Sequence, residues 1–213
     1  MRRKSSVGLL VLVLALQGPA AMEALAGVPT DQLRGSVDEA LKLLGDSAAK
    51  RERPRERRAA LRKIADDIFD WQETANRALG AHWYQRTPGE REEFVRLFSD
   101  LLDRSYMSKI ERYDGERIAY AGDSIEGDQA VVRTKILNKQ GAEIPVNYRM
   151  LRRESERWKV YDVEIEGVSL VANYRTQFNN LLRRGSYAEI VNTLRAKAGE
   201  VEAEAGIASP RSR

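Results

Sequence analysis

Residues 158–178 read WKVYDVEIEGVSLVANYRTQF, and their pattern decides the fold. Val160, Val163 and Ile165 belong to an extended run rich in β-branched and aromatic residues. From Ser169 the period changes, and Val171, Tyr174, Phe178 and Leu181 recur at helical spacing. The stretch is therefore a strand that runs directly into a helix. It carries no nucleophile paired with a base and no metal-binding cluster, so its chemistry is that of holding apolar material.

Upstream of this junction the texture is β. Arg117–Ala121, Ala130–Leu137 and Glu143–Leu151 read as strands, with Asn138–Gly141 as a turn and Val146, Tyr148 and Met150 alternating inward. Pro145 places the start of its strand at an edge or a bulge. The links are too short for crossovers, so the strands form an antiparallel meander. Asp162, Glu164 and Glu166 alternate and are expected on one half-solvated face of the last strand, with a pairing of Asp162 to an arginine as the other reading.

Further upstream the chain is helical. Asp31–Leu44 presents Leu33, Val37, Ala40, Leu41 and Leu44 on one face, and a polar link follows through Pro54. Arg55–Ile68 carries the stripe Leu61, Ile64, Ala65 and Ile68. Asp70 and Glu73 form a capping box for Trp71–Leu79. Thr87-Pro88-Gly89-Glu90 is the clearest helix start, opening a segment with Phe94, Leu97, Phe98, Leu101, Leu102 and Ile110. Downstream, Ser169–Arg184 and a helix capped by Ser186 and Glu189 close the chain, and Ala205–Arg213 reads as a polar tail. Helices, then strands, then helices imply an α+β fold: one twisted antiparallel sheet of about four to five strands wrapped by amphipathic helices.

The first 26 residues read as a cleaved export signal. Arg2, Arg3 and Lys4 precede an apolar run from Val7 to Leu16, Gly18 and Pro19 break it, and Ala24-Leu25-Ala26 supplies the cleavage site. The run falls short of the roughly 20 residues that span a bilayer. The remainder, residues 27–204, is expected to be a single domain.

Composition excludes several function classes. The chain has no cysteine and one histidine, which rules out disulfides, thiol chemistry and a histidine-rich metal site. The formal charge of +4 includes Arg2, Arg3 and Lys4, so the rest is nearly balanced. Nucleic acid is not the expected partner. The basic run Lys50–Arg58 is diluted by Glu52 and Glu56 and reads first as a solvated helix start, second as a contact for anionic headgroups or a partner. Gly167-Val168-Ser169-Leu170 is not a nucleophile elbow. An enzyme on this scaffold would have to rely on Asp162 or His82 alone, and a non-lipid scaffold protein is a further alternative.

The segment WKVYDVEIEGVSLVANYRTQF, followed by LLRRGSYAEIVNTLRAK, resembles the MlaC family of periplasmic phospholipid-binding proteins, also called toluene-tolerance proteins. ALGAHWYQRTPGEREEFVRLFSDLLDRSY, including Leu79-Gly80 and Thr87-Pro88, is similar to that family's central helical region. The likeness runs from about Pro29 to Lys197. It implies a cystatin-like or nuclear-transport-factor-like cone with an internal apolar cavity. It further implies a non-enzymatic, monomeric periplasmic carrier without cofactor, exported by a signal cleaved near Ala26. Its cargo would be phospholipid, and its partners an outer-membrane lipoprotein–porin complex and an inner-membrane ABC transporter complex with its substrate-capture subunit. Within such a cone the periodicity assigns the lipid-facing residues. On the helices they are Leu97, Leu101, Ile110, Val171, Tyr174 and Phe178. On and beside the strands they are Val132, Ile136, Val146, Tyr148, Met150, Val163 and Val168.

Overall fold

Apolar periodicity and capping chemistry account for most of the architecture in the computed structural model, which describes residues 28–204. The segment read as an export signal and the tail from Ala205 lie outside the described residues. The helices are α1 (Val28–Gly45), α2 (Ser47–Glu52), α3 (Pro54–Ile68), α4 (Trp71–Leu79) and α5 (Pro88–Ile110), with a 3-10 segment, Gly80–Gln85, between α4 and α5. Strands β1 (Arg117–Glu126), β2 (Gln129–Leu137), β3 (Glu143–Arg152), β4 (Trp158–Ile165) and β5 (Val168–Ser169) follow. Then come α6 (Leu170–Arg184) and α7 (Tyr187–Glu204). The five strands form one antiparallel sheet in sequence order, β1-β2-β3-β4-β5. The α+β architecture is as the sequence implies.

The caps work as their residue types dictate. Thr87 accepts from the Glu90 amide while the Glu90 carboxylate accepts from the Thr87 amide at 2.8 Å, a complete capping box. Those hydrogen bonds, the Thr87 amide's first, hold the Glu90 carboxyl below its ordinary value. Asp70 accepts from the Glu73 amide at 2.9 Å, but the box there is half formed, because the Glu73 carboxylate turns to Arg77 at 2.7 Å. The expected polar link after α1 contains α2.

Two bulges set what the sheet presents. In β1 the register shifts between Tyr120 and Asp123, with Gly122 at φ +90°. A left-handed conformation is cheap only for glycine. The strand therefore continues to Glu126 where the sequence suggests an end at Ala121, and Tyr120, Asp123 and Ile125 all pair with inward residues of β2. In β4 the shift lies between Val160, paired with Met150, and Asp162, paired with Arg149, so Tyr161 is the extra residue. Val146 is the first β3 residue paired with β4, so Pro145 sits at the end of that ladder, where its carbonyl accepts from the Glu166 amide at 3.0 Å.

Burial divides the molecule into two main apolar clusters. One fills the helical lobe: Leu79, Trp83, Phe94, Leu97, Phe98, Leu101, Val171, Phe178, Ile190 and Leu194 from α4 to α7. The other lies on one face of the sheet, where Val132, Val146, Met150, Trp158, Val160 and Val163 pack with Leu33 of α1. A small third cluster, Leu44, Leu61 and Met107, ties α1 and α3 to the end of α5. Beside it Arg57 is buried, its Nη2 3.7 Å from Glu111, with Nε and Nη1 unpartnered.

Candidate functional site

The sheet's apolar face is assembled by register. Ile136 pairs with Ile144, Thr134 with Val146, Val132 with Tyr148 and Ala130 with Met150, so these side chains share one face. Tyr148 opposite Val163 and Val146 opposite Ile165 extend it onto β4. At the Met150–Trp158 end α1 and α3 close over the face, and Leu33 and Ile68 meet Trp158 and Val160. There a cleft of about 220 Å³ remains, lined in part by Gln32, Asp67, Met150 and Arg157. Pockets for drug-sized ligands run from roughly 300 Å³ upward, so this cleft cannot enclose a diacyl lipid.

Away from that end, the cover thins. Ile136, Ile144, Tyr148, Ile165 and Leu170 are only partly buried although they pack on the sheet cluster. Burial nevertheless pushes the Tyr148 hydroxyl up to about 12, with no charged neighbour contributing. These residues form the less covered part of the sheet's apolar face. In the helical lobe Tyr106, Tyr174, Leu181 and Leu182 are likewise partly buried against its cluster. Desolvation also raises the Tyr106 and Tyr174 hydroxyls.

Consecutive residues in the first turn of α6 face different clusters: Leu170 joins the sheet, Val171 the helical lobe. This seam is fixed by Asp162. Its carboxylate accepts from the Ser169 hydroxyl at 2.5 Å and from the Val171 amide at 3.0 Å, while Ser169 Oγ accepts from the Ala172 amide at 2.9 Å. Arg149 lies 3.9 Å from Asp162 and donates to Glu164 at 3.0 Å, and Asn147 donates to the same carboxylate at 3.0 Å. These two donors, Arg149 foremost, hold the Glu164 carboxyl below its ordinary value. Asp162 is thus 6% exposed and structural, not one of a row of solvated acids. Glu166 leaves that row as well, since it sits in the β4–β5 turn. His82 is half-buried in the 3-10 segment. Among the described residues no group of His, Cys, Asp and Glu is arranged to hold a metal ion.

The thirteen residues chosen from periodicity separate into three sets. Val132, Ile136, Val146, Tyr148, Met150 and Val163 lie on the sheet face. Leu97, Leu101, Val171, Tyr174 and Phe178 belong to the helical lobe, where Phe178 is clasped edge-on by Phe94 and Phe98 at 5.4 and 5.5 Å. Ile110, at the end of α5, and Val168, in β5, are 45% and 57% exposed and belong to neither cluster. The selection omitted Ile144, Ile165, Leu170, Tyr106 and Tyr120. Ile144 and Ile165 share the parity of Val146 and Val163, so alternation could have found them. Tyr120 lies within the strand read as Arg117–Ala121, to which no inward face was assigned.

Residues 34–196 match the family described as MlaC protein. The chain is 27% identical over 200 residues to the toluene tolerance protein ttg2D of Pseudomonas putida, covering 91% of this chain and 89% of that protein. It is 22% identical over 129 residues to the intermembrane phospholipid transport system binding protein MlaC of Haemophilus influenzae, covering 59% and 60% of the two. Its fold superposes with a TM-score of 0.70 on a phospholipid-binding protein from Ralstonia solanacearum solved in complex with a phospholipid. That alignment has 24% identity and covers 81% of this chain and 98% of the other. Among the described residues no helix is long and apolar enough to cross a membrane. The family match spans most of the chain, and the fold agrees with it: this protein belongs to the MlaC family.

Proposed function

We propose that this protein is a periplasmic phospholipid carrier, exported by the segment ending near Ala26. As a monomer with one domain over residues 27–204, it moves glycerophospholipid between an outer-membrane lipoprotein–porin complex and an inner-membrane ABC transporter complex, without cofactor or catalysis. Family membership supports the cargo class. The observation that carries the reading is incompletely covered apolar surface: Ile136, Ile144, Tyr148 and Ile165 on the sheet and Tyr106 and Tyr174 on the helices are only partly buried, and we assign the cargo recess to the space between them. The acyl chains lie there. The fully buried Val132, Met150, Leu97 and Phe178 form the walls behind.

The energetics require enclosure. An acyl tail of about 15 methylenes at ~0.8 kcal/mol each costs on the order of 12 kcal/mol in water. A carrier must hide most of that and still release it on contact with a partner. A recess between two lobes, each with its own core, meets both needs.

Native mass spectrometry of the mature protein, purified without detergent, tests this. The expected spectrum carries the added mass of phospholipid, identified by extraction. A clean protein mass, with no uptake from phospholipid vesicles, would overturn the proposal.

A further inference from the structure

We propose that Tyr120 and Tyr148 form a paired hydroxyl seat for the ester carbonyls of the cargo, so that the protein selects acyl-ester lipids over ether lipids. The inference rests on the carrier reading above and names what that site recognises.

Both residues belong to the apolar sheet cluster. Tyr120 pairs with Thr134 on one side of β2, and Tyr148 with Val132 on the other, so the two rings lie diagonally across β2 on the same face. The remaining polar groups there have partners. The Thr134 hydroxyl donates to the Val146 carbonyl at 2.8 Å. Asp123 accepts from the Thr30 amide and hydroxyl at 3.1 and 2.7 Å. The Tyr120 hydroxyl is covered and has no hydrogen-bond partner. Neither, among the described residues, does that of Tyr148. Arg34 lies over the Tyr120 ring at 4.7 Å, and Asp38 and Tyr148 are near enough to act on it electrostatically, but none takes its proton.

Burial pushes both phenols up to about 12, so each remains a neutral O–H donor under any physiological condition. The Tyr148 hydroxyl keeps some access to solvent, but that of Tyr120 is covered; a covered donor left unused costs stability, and native proteins rarely tolerate one without compensation. The compensation here is an acceptor brought by the ligand. A phosphate is a poor candidate, because taking its charge into an apolar recess is far more costly than moving a neutral group. The ester carbonyl is neutral, accepts hydrogen bonds and is attached to the chain that the recess must bury. An ether-linked lipid of the same shape lacks it.

The test is a competition. The purified protein is exchanged with excess vesicles holding equal amounts of a 1,2-diacyl phosphatidylcholine and its chain-matched 1,2-di-O-alkyl counterpart, and the bound lipids are counted by mass spectrometry. Wild type is expected to enrich the diacyl lipid about threefold to tenfold, as one to two hydrogen bonds allow. In Tyr120→Phe/Tyr148→Phe the diacyl-to-dialkyl ratio of the bound lipid falls to that of the vesicles. Tyr120→Phe, stripped of lipid, melts no lower than stripped wild type, because the lost hydroxyl had no partner. Equal uptake of both lipids by wild type, enrichment that survives in the double variant, or a clear loss of stability in stripped Tyr120→Phe would each overturn the inference while leaving the carrier reading intact. No uptake of either lipid by wild type would overturn both.

Discussion

Asp162 shows how one side chain joins strand, helix and site. Its two oxygens hold the Ser169 hydroxyl and the Val171 amide, which fixes the first turn of α6 to β4 at the seam between the lobes. Replacing it with alanine strands a buried amide and frees Arg149 from one of its two acidic neighbours. Asp162→Ala is expected to lower stability by about 2–4 kcal/mol, and Asp162→Asn, which keeps an acceptor, by less. Denaturant midpoints check this; a midpoint for Asp162→Ala equal to wild type would show the latch to be idle. Glu164 makes a pH-dependent contribution. Its folded carboxyl lies below the ordinary value of 4.5, held there by Arg149 and then Asn147. The ionised form is therefore favoured by folding. The stabilisation is complete above about pH 4.5 and is lost as pH falls through the depressed folded value. Glu164→Gln removes it, so the variant's stability changes less than that of wild type on acidification below pH 4.5. Thermal melts from pH 6 to pH 3 measure the difference.

Elements whose signals are local were legible, and those shaped by tertiary contact were not. The start of α5 is written in Thr87-Pro88-Gly89-Glu90, and Thr87→Ala should cost about 1 kcal/mol in a chemical melt. The β4–β5 hairpin was not legible. Ile165 pairs with Val168 across two residues, Glu166 at φ +50° and Gly167 at φ +81°, a geometry that favours Asn-Gly. Glu-Gly gives a weaker signal, and β5 is only Val168–Ser169. Glu166→Asn should accordingly gain from a few tenths to about 1 kcal/mol, read as a raised melting temperature. A drop would mean that Glu166 makes a contact worth more than its backbone strain. Tertiary cover explains the misjudged carboxylates. The bulge at Tyr161 precedes Asp162, so Asp162 and Glu164 do share one face, opposite Arg149 and Asn147, but the first turn of α6 folds over Asp162 and takes it out of solvent. The face residues of β2 and β3 could be chosen by alternation, since their pairing is regular. Their relation to α5 and α6 could not, because it depends on how two separate clusters meet.

At the scale of the whole molecule, that separation is the property a carrier needs. Each lobe packs its own core, so the recess proposed between them could fill and empty without unfolding either one. One covalent crossing between them is the short step from β4 through β5 into α6, and Asp162 holds it. On the carrier reading, cargo acts as a third body that joins the lobes. A ligand bound to the folded state alone stabilises it by about 2.7 kcal/mol at a hundred times its dissociation constant. Stripping the lipid is therefore expected to lower the melting temperature. The loss should be local: amide hydrogen exchange should quicken in residues 132–136 and 144–148 and in the first turn of α6, which border the recess. It should stay unchanged in α3, which packs at the closed Met150–Trp158 end. A protein that served only as a scaffold would show no difference between stripped and untreated samples, because its two cores would then meet directly, with nothing between them to remove.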